Sequence, residues 1–489
     1  MAPRTFSQIP MISGTKLTGH AAEFRSRRLD FFVRAALEQG DIAAIRFFNK
    51  TALVVSSPEL LHDMLIERPR LFGKSAGIRT VLYPFAGEGL FTSDGDLWKR
   101  QRKLMAPLFQ PSYMAKYAEG MSESITKGID AWREGELIDV GREMTRITMG
   151  VVGKALFDID TFGQADELGG EITVLLDYIA ASAATVGLLV KMTMVEELEK
   201  IEGRVPPPLE KARLYLLDRA RNISPLPTPG ATRARAAQRR LEALVSRMIQ
   251  ERRAAGLLRQ DLLTKLLAAR DEDDGQTMTD KQVRDEVLTL FLAGHETTAV
   301  AATWALYLLS RHPEIDRRYR DEVDALGGRP PQFEDLPRLP YTLRVFKEAL
   351  RLYPSAALLD RVTLSDIELG GYLIPKGTVI FFSPYAIHRR PDLWPDPERF
   401  NPDRFLPEAE AKRPRLAYLP FGAGPRVCIG SHFALIEGHL ILAHIAQRAT
   451  LTPISKTPLH PGMSTTLRPE ETFFMRVHLA ANRPSSAAA

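Results

Sequence analysis

The sequence predicts a mainly α-helical protein with small β-sheets. Its composition, with 45% hydrophobic and 26% charged residues, is that of a globular chain and not of a disordered one. Apolar residues recur at helical spacing over residues 96–350, which makes the long middle of the chain helical. Runs typical of β-strands are confined to residues 41–59 and to the part after Pro354, so the sheets should be small.

The individual elements are bounded by turn-forming and helix-capping residues. Residues 41–59 form two β-rich runs joined near Asn49 and Lys50, and Ser57 with Pro58 then begins a helix. Proline- and glycine-rich stretches interrupt the helical middle at 206–208 and 225–230. For the later part we predict β-runs at 372–374 and 378–382, an irregular proline-rich stretch at 391–420, a helix at 431–446 and a closing hairpin at 465–479.

Length and cysteine content bound the domain organisation and the compartment. The 489 residues are treated as a single domain spanning 1–489, with frayed ends at about 1–15 and 482–489. One cysteine excludes an intramolecular disulfide and a C-x-x-C metal pair, which fits a reducing compartment. Neither a signal-peptide core nor a run of about 18 apolar residues occurs. We therefore expect a soluble, cytoplasmic, monomeric protein without a membrane anchor.

The charge pattern argues against nucleic-acid binding. The chain has 65 Lys and Arg against 60 Asp and Glu, for a net charge of +5, and the basic residues are spread along it. A local basic cluster at residues 99–103 either docks an acidic protein partner or is a solvated helix face.

Several short patterns suggest other enzyme classes but lack the required context. The G-x-S-x-G pattern at residues 73–77 follows Pro69 and Arg70 and not a predicted strand, so it does not form a hydrolase elbow. The same Gly-Lys-Ser lacks the first glycine of a phosphate-binding loop, and Val427 replaces the third glycine of a dinucleotide motif. Hydrolase, nucleotide-binding and flavin chemistry are therefore not indicated.

A long buried helix is interrupted by polar residues. Thr279 and Gln282 have capping-box spacing, and the helix continues to His312 and Pro313, giving about 32 residues and a length of ~48 Å. The sequence Ala-Gly-His-Glu-Thr-Thr at residues 293–298 lies between apolar flanks. A buried carboxylate costs several kcal/mol unless it is paired, so Glu296 indicates function. Alternatively, Thr297 bonds the preceding turn and Glu296 finds a surface partner.

The only cysteine lies in a glycine-rich segment ahead of a second helix. Residues 421–430 read Phe-Gly-Ala-Gly-Pro-Arg-Val-Cys-Ile-Gly, and the helix predicted at 431–446 follows. A helix N-terminus stabilises a thiolate, which is the form that binds metals. The glycines allow close approach of the backbone, so a flat cofactor could lie against the loop. For a lone cysteine without this context, a buried structural role would be the better interpretation.

The segment F-G-x-G-x-R-x-C-x-G resembles the haem-binding loop of the cytochrome P-450 family. The segment at residues 293–298 resembles the distal-helix motif of that family, A/G-G-x-D/E-T-T, at every specified position. Three further motifs occur in the expected order, and the resemblance covers about residues 41–469. It implies the mainly helical triangular prism of that family, with small sheets, as one domain.

The resemblance also implies a set of site residues around haem b, iron protoporphyrin IX. Cys428 is then the axial ligand of the haem iron, and Phe421 shields its sulfur. Trp98 and Arg102, in a W-x-x-x-R motif, bind a haem propionate, as do Arg361 and Arg426. Glu296 and Thr297 are the catalytic pair that relays protons when dioxygen is split. A thiolate as axial ligand of the haem iron favours cleavage of the O–O bond, whereas a histidine ligand is typical of oxygen-binding proteins and peroxidases.

A structural network accompanies this site in the family. Glu348 and Arg351 share one helix face, and the segment Phe400-Asn401-Pro402-Asp403-Arg404-Phe405 resembles F-x-P-E-R-F with aspartate in place of glutamate. The resemblance implies that Arg404 completes a Glu348–Arg351–Arg404 network that fixes the segment leading to the cysteine. His388 is a weaker candidate for a propionate contact, and a surface role fits it equally well.

The function implied is a haem-dependent monooxygenase that inserts one atom of O₂ into a hydrophobic small molecule. The electrons would come from NAD(P)H through a ferredoxin or flavodoxin and its reductase, because no flavin or iron–sulfur motif and no fused reductase is evident in the chain. One alternative is a haem-thiolate isomerase or peroxygenase that needs no reductase. Another is a haem sensor without catalysis.

Overall fold

Helices dominate the structure, a computed structural model that describes residues 3–15, 18–159, 165–182, 186–223, 228–256, 261–271 and 275–480. The helices are α1 Ala21–Ser26, α2 Arg28–Glu38, α3 Pro58–His62, α4 Ala76–Ala86, α5 Gly95–Met105, α6 Pro111–Asp130, α7 Val140–Val151, α8 Ala165–Ser182, α9 Val186–Lys200, α10 Pro207–Arg221, α11 Pro229–Ala254, α12 Leu262–Ala268, α13 Asp280–Arg311, α14 Pro313–Asp324, α15 Pro340–Leu352, α16 Pro384–Ile387, α17 Pro407–Lys412 and α18 Ser431–Arg448.

The strands are short. They are β1 Ile42–Phe47, β2 Lys50–Val55, β3 Phe72–Gly73, β4 Leu137–Asp139, β5 Leu359–Thr363, β6 Ile367–Leu369, β7 Tyr372–Ile374, β8 Val379–Phe382, β9 Ala449–Pro453, β10 Pro461–Met463, β11 Leu467–Pro469 and β12 Phe474–Leu479. The prediction of a mainly α-helical protein with small β-sheets is therefore confirmed.

The chain divides into two compact units. The first comprises Met1–Phe72, Phe109–Gly163 and Gly294–Ala489, and the second comprises Gly73–Leu108 and Gln164–Ala293. Apart from Gly73, the strands belong to the first unit, whereas α4, α5 and α8–α12 belong to the second. Helix α13 is shared, because the boundary at Ala293 and Gly294 falls within it.

The largest sheet has the strand order β1-β2-β8-β5-β3. Strands β1 and β2 are antiparallel, with Phe47 opposite Lys50, which matches the two β-runs predicted at 41–59. Strand β5 lies antiparallel to β8, so that Arg361 pairs with Ile380. Ser57 then caps α3, as predicted, by accepting the Leu60 N–H at 3.3 Å. One face of this sheet contributes to a hydrophobic core cluster of the first unit.

Helix α13 has the predicted length and start. It spans 32 residues, and Thr279 and Gln282 form the expected reciprocal capping contacts, at 2.9 and 3.2 Å. Helix α18 begins at Ser431, as predicted, and extends two residues beyond the expected end, to Arg448. The irregular stretch at 391–420 contains the short helix α17.

Two expectations for the chain ends were wrong. Within residues 3–15 the segment is not frayed, because Arg4 exchanges backbone hydrogen bonds of 2.8 Å with Gly371 and Leu373, and Ile12 is buried. The predicted closing hairpin at 465–479 does not form, since β11 pairs with β10 while β12 pairs with β9 and β4. Alternating polarity shows that a strand exists but does not specify its partner. The expected fraying of 482–489 lies outside the described residues.

Hydropathy along the described helices bears on membrane association. Within the part of the chain that the structure describes, no helix combines the length and apolar character needed to cross a bilayer.

Candidate functional site

The cysteine loop folds back on itself just before α18. The Gly422 N–H donates to the Leu419 carbonyl at 3.1 Å, and the Cys428 N–H donates to the Phe421 carbonyl at 3.0 Å. The Cys428 side chain is exposed, and Phe421 is half-buried. Cys428 therefore lies three residues before the first turn of α18, with its backbone fixed and its sulfur accessible.

Gly424 is required for this loop by both its backbone angle and its surroundings. Its φ is +72°, in the left-handed region, and a Cβ built there would lie 1.8 Å from the backbone carbonyl oxygen of Leu65. Any larger residue would push the loop away from the helical turn Asp63–Glu67 that contains Leu65. The glycine thus sets how closely the cysteine loop packs against the backbone at Leu65.

A buried histidine connects the cysteine loop to α15. His388 is fully buried, with Nδ1 lying 3.0 Å from the Arg351 carbonyl oxygen and Nε2 accepting the Leu419 N–H at 3.1 Å. Burial lowers the pKa of His388 well below its usual value, so the ring is neutral, and Nδ1 carries the proton. Neither the surface role nor the propionate contact considered for His388 fits these contacts.

The three residues of the expected network are brought together. The Arg351 guanidinium donates to both carboxylate oxygens of Glu348, at 2.7 and 2.9 Å, and the two side chains are completely buried. Arg404 Nε lies 3.3 Å from Glu348 Oε1, an ion pair without good hydrogen-bond geometry, and Arg404 donates to the Asp396 carbonyl at 2.7 Å. Glu348 also accepts the Asn401 N–H at 2.9 Å.

Two of the expected propionate ligands lie in the first unit. Arg361 is on β5, where its guanidinium donates to the Asp360 carbonyl at 2.6 Å and lies 5.6 Å from the centre of the Phe382 ring. Arg426 ends the single turn Gly424–Arg426 ahead of Cys428. Both side chains are half-buried.

The other two expected ligands lie in the second unit. Trp98 and Arg102 are one turn apart on α5, and both are half-buried. The helix is held by Asp94, which accepts the N–H groups of Gly95 and Lys74 at 2.9 and 2.8 Å, and by buried Gln101.

The polar interruption of α13 coincides with a change in burial. Ala293 is exposed and Gly294 and Thr297 are half-buried, whereas the helix on either side is almost entirely buried. A Cβ on Gly294 would lie 2.8 Å from Val152 Cγ2, so this glycine also permits close helix packing. Thr297 therefore lies with Ala293 and Gly294 on one accessible strip of a buried helix, whereas Glu296 is buried.

Glu296 does not point to the surface. Its side chain is buried, and Oε1 accepts a hydrogen bond of 2.9 Å from the hydroxyl of Thr466, between β10 and β11. The alternative in which Glu296 finds a surface partner is thereby overturned. Sequence reasoning missed Thr466, because it belongs to no motif and is one of several hydroxyl residues in that turn.

A second buried carboxyl group was also missed. Glu437 on α18 is completely buried, and neither oxygen has a hydrogen-bond partner among the described residues. Burial raises the pKa of Glu437 well above its usual value, against a smaller opposing effect of Thr298, and so favours the protonated form of this group. Glu437 could have been found from the sequence, because it is an acidic residue within an apolar helical run, as Glu296 is.

The donor set fits a haem better than a metal held by protein alone. In the ranges the structure describes, no group of three or more His, Cys, Asp or Glu side chains could hold a metal ion. An iron bound by the accessible thiol of Cys428 would need its other ligands from a porphyrin. The glycine loop leaves that sulfur open, and Arg361 and Arg426 are cations suited to carboxylates.

The sequence is similar along most of its length to known proteins. The family model for Cytochrome P450 matches residues 10–477. A cyclooctatin synthase of Streptomyces melanosporofaciens is 37% identical over 92% of this chain and 91% of its own. A pentalenene oxygenase of Streptomyces avermitilis is 33% identical over 98% and 99%.

A solved structure extends the likeness to the fold. The crystal structure of a cytochrome P450DA heme domain has a TM-score of 0.82 and 26% sequence identity, and the match covers 98% of each chain. Family membership implies a haem cofactor. A cyclooctat-9-en-7-ol 5-monooxygenase is 36% identical over 91% of this chain and 89% of its own. This relative supports monooxygenase chemistry. The chain therefore belongs to the cytochrome P450 family, as a haem-dependent monooxygenase.

Proposed function

We propose that this protein hydroxylates or epoxidises a hydrophobic small molecule with electrons from a separate redox partner. In the hydroxylation, a C–H bond, O₂, two electrons and two protons give C–OH and one water. Haem b, when bound, supplies the activation of dioxygen at its iron. The residues of this chain bind the haem, exclude water from its surroundings and deliver protons.

Cys428 is the proposed axial ligand, and four other side chains are proposed to hold the haem. Arg361, Arg426, Trp98 and Arg102 would bind the propionates. Charge-assisted hydrogen bonds from guanidinium groups suit carboxylates because both are planar and bidentate. Phe421 would limit the access of water to the sulfur.

Glu296 and Thr297 are the proposed proton-delivery pair. Thr297 lies on the accessible strip of α13, where its hydroxyl would hold and pass on a proton at Oγ1. Glu296 is buried beside it and would exchange protons with that site. The Glu348–Arg351–Arg404 network and His388 would keep the segment before the cysteine in register.

The substrate class is proposed from the relatives. The relatives named above have names that refer to pentalenene and cyclooctat-9-en-7-ol, an unsaturated cyclic hydrocarbon and an unsaturated cyclic alcohol by nomenclature. A cyclic terpenoid rich in C–H bonds would suit an apolar binding pocket. Pentalenene is a first probe, and a shift of the haem spin state on its addition would report binding.

The electron donor is proposed to be a ferredoxin or flavodoxin, reduced by NAD(P)H through its reductase. Lys99 and Lys103 of α5 are exposed and positively charged, which suits an acidic protein of this kind. Lys99 contacts Asp96 at 2.8 Å, an exposed pair that a partner could displace at low cost.

The observation that carries the proposal is the single thiol held accessible on the glycine loop ahead of α18. In reduced wild-type protein, carbon monoxide should move the main haem absorption band to the wavelength that gives the family its name. Cys428→His should retain bound haem but lose this band entirely. A colourless wild-type protein produced with ample haem precursor would contradict the proposal.

A further inference from the structure

Glu296 is held by a residue 170 positions away in the sequence. The Thr466 hydroxyl donates to Glu296 Oε1 at 2.9 Å, and both side chains are more than nine-tenths buried. A glutamate side chain has three rotatable bonds, so a contact at its end selects among several rotamers. The hydroxyl of Thr466 therefore defines where the carboxyl group lies.

The backbone next to Thr466 is itself fixed. The Leu467 N–H donates to the Ser355 carbonyl at 3.0 Å, and the Leu467 carbonyl accepts the indole N–H of Trp304, on α13, at 2.7 Å. Trp304 is completely buried and stacks on Tyr353 with ring centres 3.8 Å apart. Because both the N–H and the carbonyl of Leu467 are hydrogen-bonded, the backbone of the preceding residue, Thr466, can move little.

Ser355 joins the same group of contacts to the other half of the catalytic pair. Its hydroxyl donates to the Thr297 carbonyl at 2.7 Å, while its own carbonyl accepts from Leu467. The backbone of α13 at Thr297 and the turn that carries Thr466 are thus both tied to Ser355. Small displacements of this turn would be transmitted to Glu296.

We infer that Thr466 is a positioning residue that holds the carboxyl group of Glu296 for proton delivery. This inference rests on the proton-delivery role proposed above. Glu296 exchanges the protons, and Thr466 acts only through it. Proton delivery is sensitive to the position of the donor to within about 1 Å, so a carboxyl group that samples other rotamers delivers protons more slowly.

The chain offers a matched set of variants. Thr466→Val removes the hydroxyl with little change in volume, and Thr466→Ser restores it. Thr465→Val is the control, because the Thr465 hydroxyl, one residue earlier, has no hydrogen-bond partner among the residues that the structure covers. Glu296→Gln removes the acid but keeps an oxygen that can accept from Thr466.

The first measurement uses haem-loaded full-length protein without substrate, reduced by NADPH through a surrogate ferredoxin and its reductase. Consumed O₂ leaves as H₂O₂ with two electrons and two protons, or as two waters with four of each. We expect the peroxide share to rise on the order of threefold in Thr466→Val and in Glu296→Gln. Thr466→Ser and Thr465→Val should match the wild type, and Thr466→Val should add nothing in the Glu296→Gln background.

The second measurement does not depend on activity. Thermal unfolding of Thr466→Val should show a midpoint lowered by ~1–3 °C through the lost hydrogen bond. In a Glu296→Ala background the same change should have less than half that effect, because its partner is absent. Equal effects in both backgrounds would show that the contact contributes nothing.

The outcomes separate this inference from the proposed function. If Glu296→Gln raises the peroxide share and Thr466→Val does not, or if serine fails to restore the wild-type value, only the positioning role is wrong. If Glu296→Gln leaves the share unchanged, proton delivery by Glu296 is wrong and the positioning role falls with it. The unfolding measurement then still reports whether the contact forms.

Discussion

At the scale of single residues, two adjacent carboxyl groups at the start of α13 behave differently. Asp285 accepts the Glu88 N–H at 3.0 Å and is paired with Lys281 at 2.9 Å, so its charge is compensated. Glu286 accepts the Leu90 N–H at 2.9 Å, while its Oε1 has no partner within the described ranges. Burial raises the pKa of Glu286 to about 8, against the lowering effects of the Leu90 N–H and Lys74 and with a smaller raising effect of the Asp285 charge.

This difference predicts a pH dependence of stability. Because the folded pKa of about 8 exceeds the unfolded value of 4.5, the folded state holds a proton that the unfolded state releases between these values. The contribution of Glu286 to stability is therefore complete below pH 4.5 and is lost as the pH rises through 8. Glu286→Gln should raise the unfolding midpoint by ~2 °C or more near pH 9 and have little effect near pH 5. A constant difference across this range would contradict the prediction.

At the scale of elements, the cysteine loop depends on a close backbone contact. Gly424→Ala would combine a left-handed φ of +72° with a Cβ 1.8 Å from the Leu65 carbonyl oxygen. We expect a loss of ~2–4 kcal/mol in unfolding free energy and reduced haem content, measured by denaturant titration and absorbance. Gly170→Ala on α8, where a Cβ would meet nothing within 4 Å, is the control and should be neutral or slightly stabilising.

Helix α15 and the segment before the cysteine are joined by the buried network. Glu348→Gln would leave Arg351, which is completely buried, without its counter-charge. We expect a loss of ~3–5 kcal/mol and weaker haem retention. Asp96→Asn breaks an exposed pair with Lys99 and should leave the unfolding free energy nearly unchanged. Similar losses in these two variants, followed by chemical denaturation, would refute a special role for the network.

Burial distinguishes these two pairs, and the sequence alone does not. Residues with the spacing of Glu348 and Arg351 are common on exposed helices, where they contribute little. The resemblance to the family's motif singled out Glu348 and Arg351, but only their packing against residues 399–404 shows that the pair is buried. The surface role considered for His388 was wrong for the same reason, since polar residues are most often found at the surface.

At the scale of the whole molecule, the source of electrons decides between the proposed monooxygenase and a haem-thiolate isomerase or peroxygenase. We expect no product from pentalenene or another bound substrate with NADPH alone, and turnover when ferredoxin and its reductase are added. Product formation with hydrogen peroxide at a comparable rate, without any reductase, would favour a peroxygenase. Conversion of substrate without consumption of oxygen would favour an isomerase.

The fold class and the central elements were largely predictable from the sequence. Helix α13, the strands β1 and β2 and the start of α18 follow from local patterns of apolar residues and caps, which act over a few residues. The position of Cys428 ahead of a helix was predictable for the same reason. Strand partners were not predictable, as β11 and β12 show, because a strand pattern is compatible with many neighbours.

The sequence by itself determined the family, the thiol on its glycine loop and the acid–threonine pair of α13, because each is written in a short, contiguous motif. Only the tertiary structure decided the partners of these groups. Thr466 reaches Glu296 across 170 residues, and His388 links Arg351 to Leu419. Such contacts depend on how distant segments pack together. A single threonine or histidine forms no repeating pattern in the sequence, so its partner cannot be predicted from the sequence.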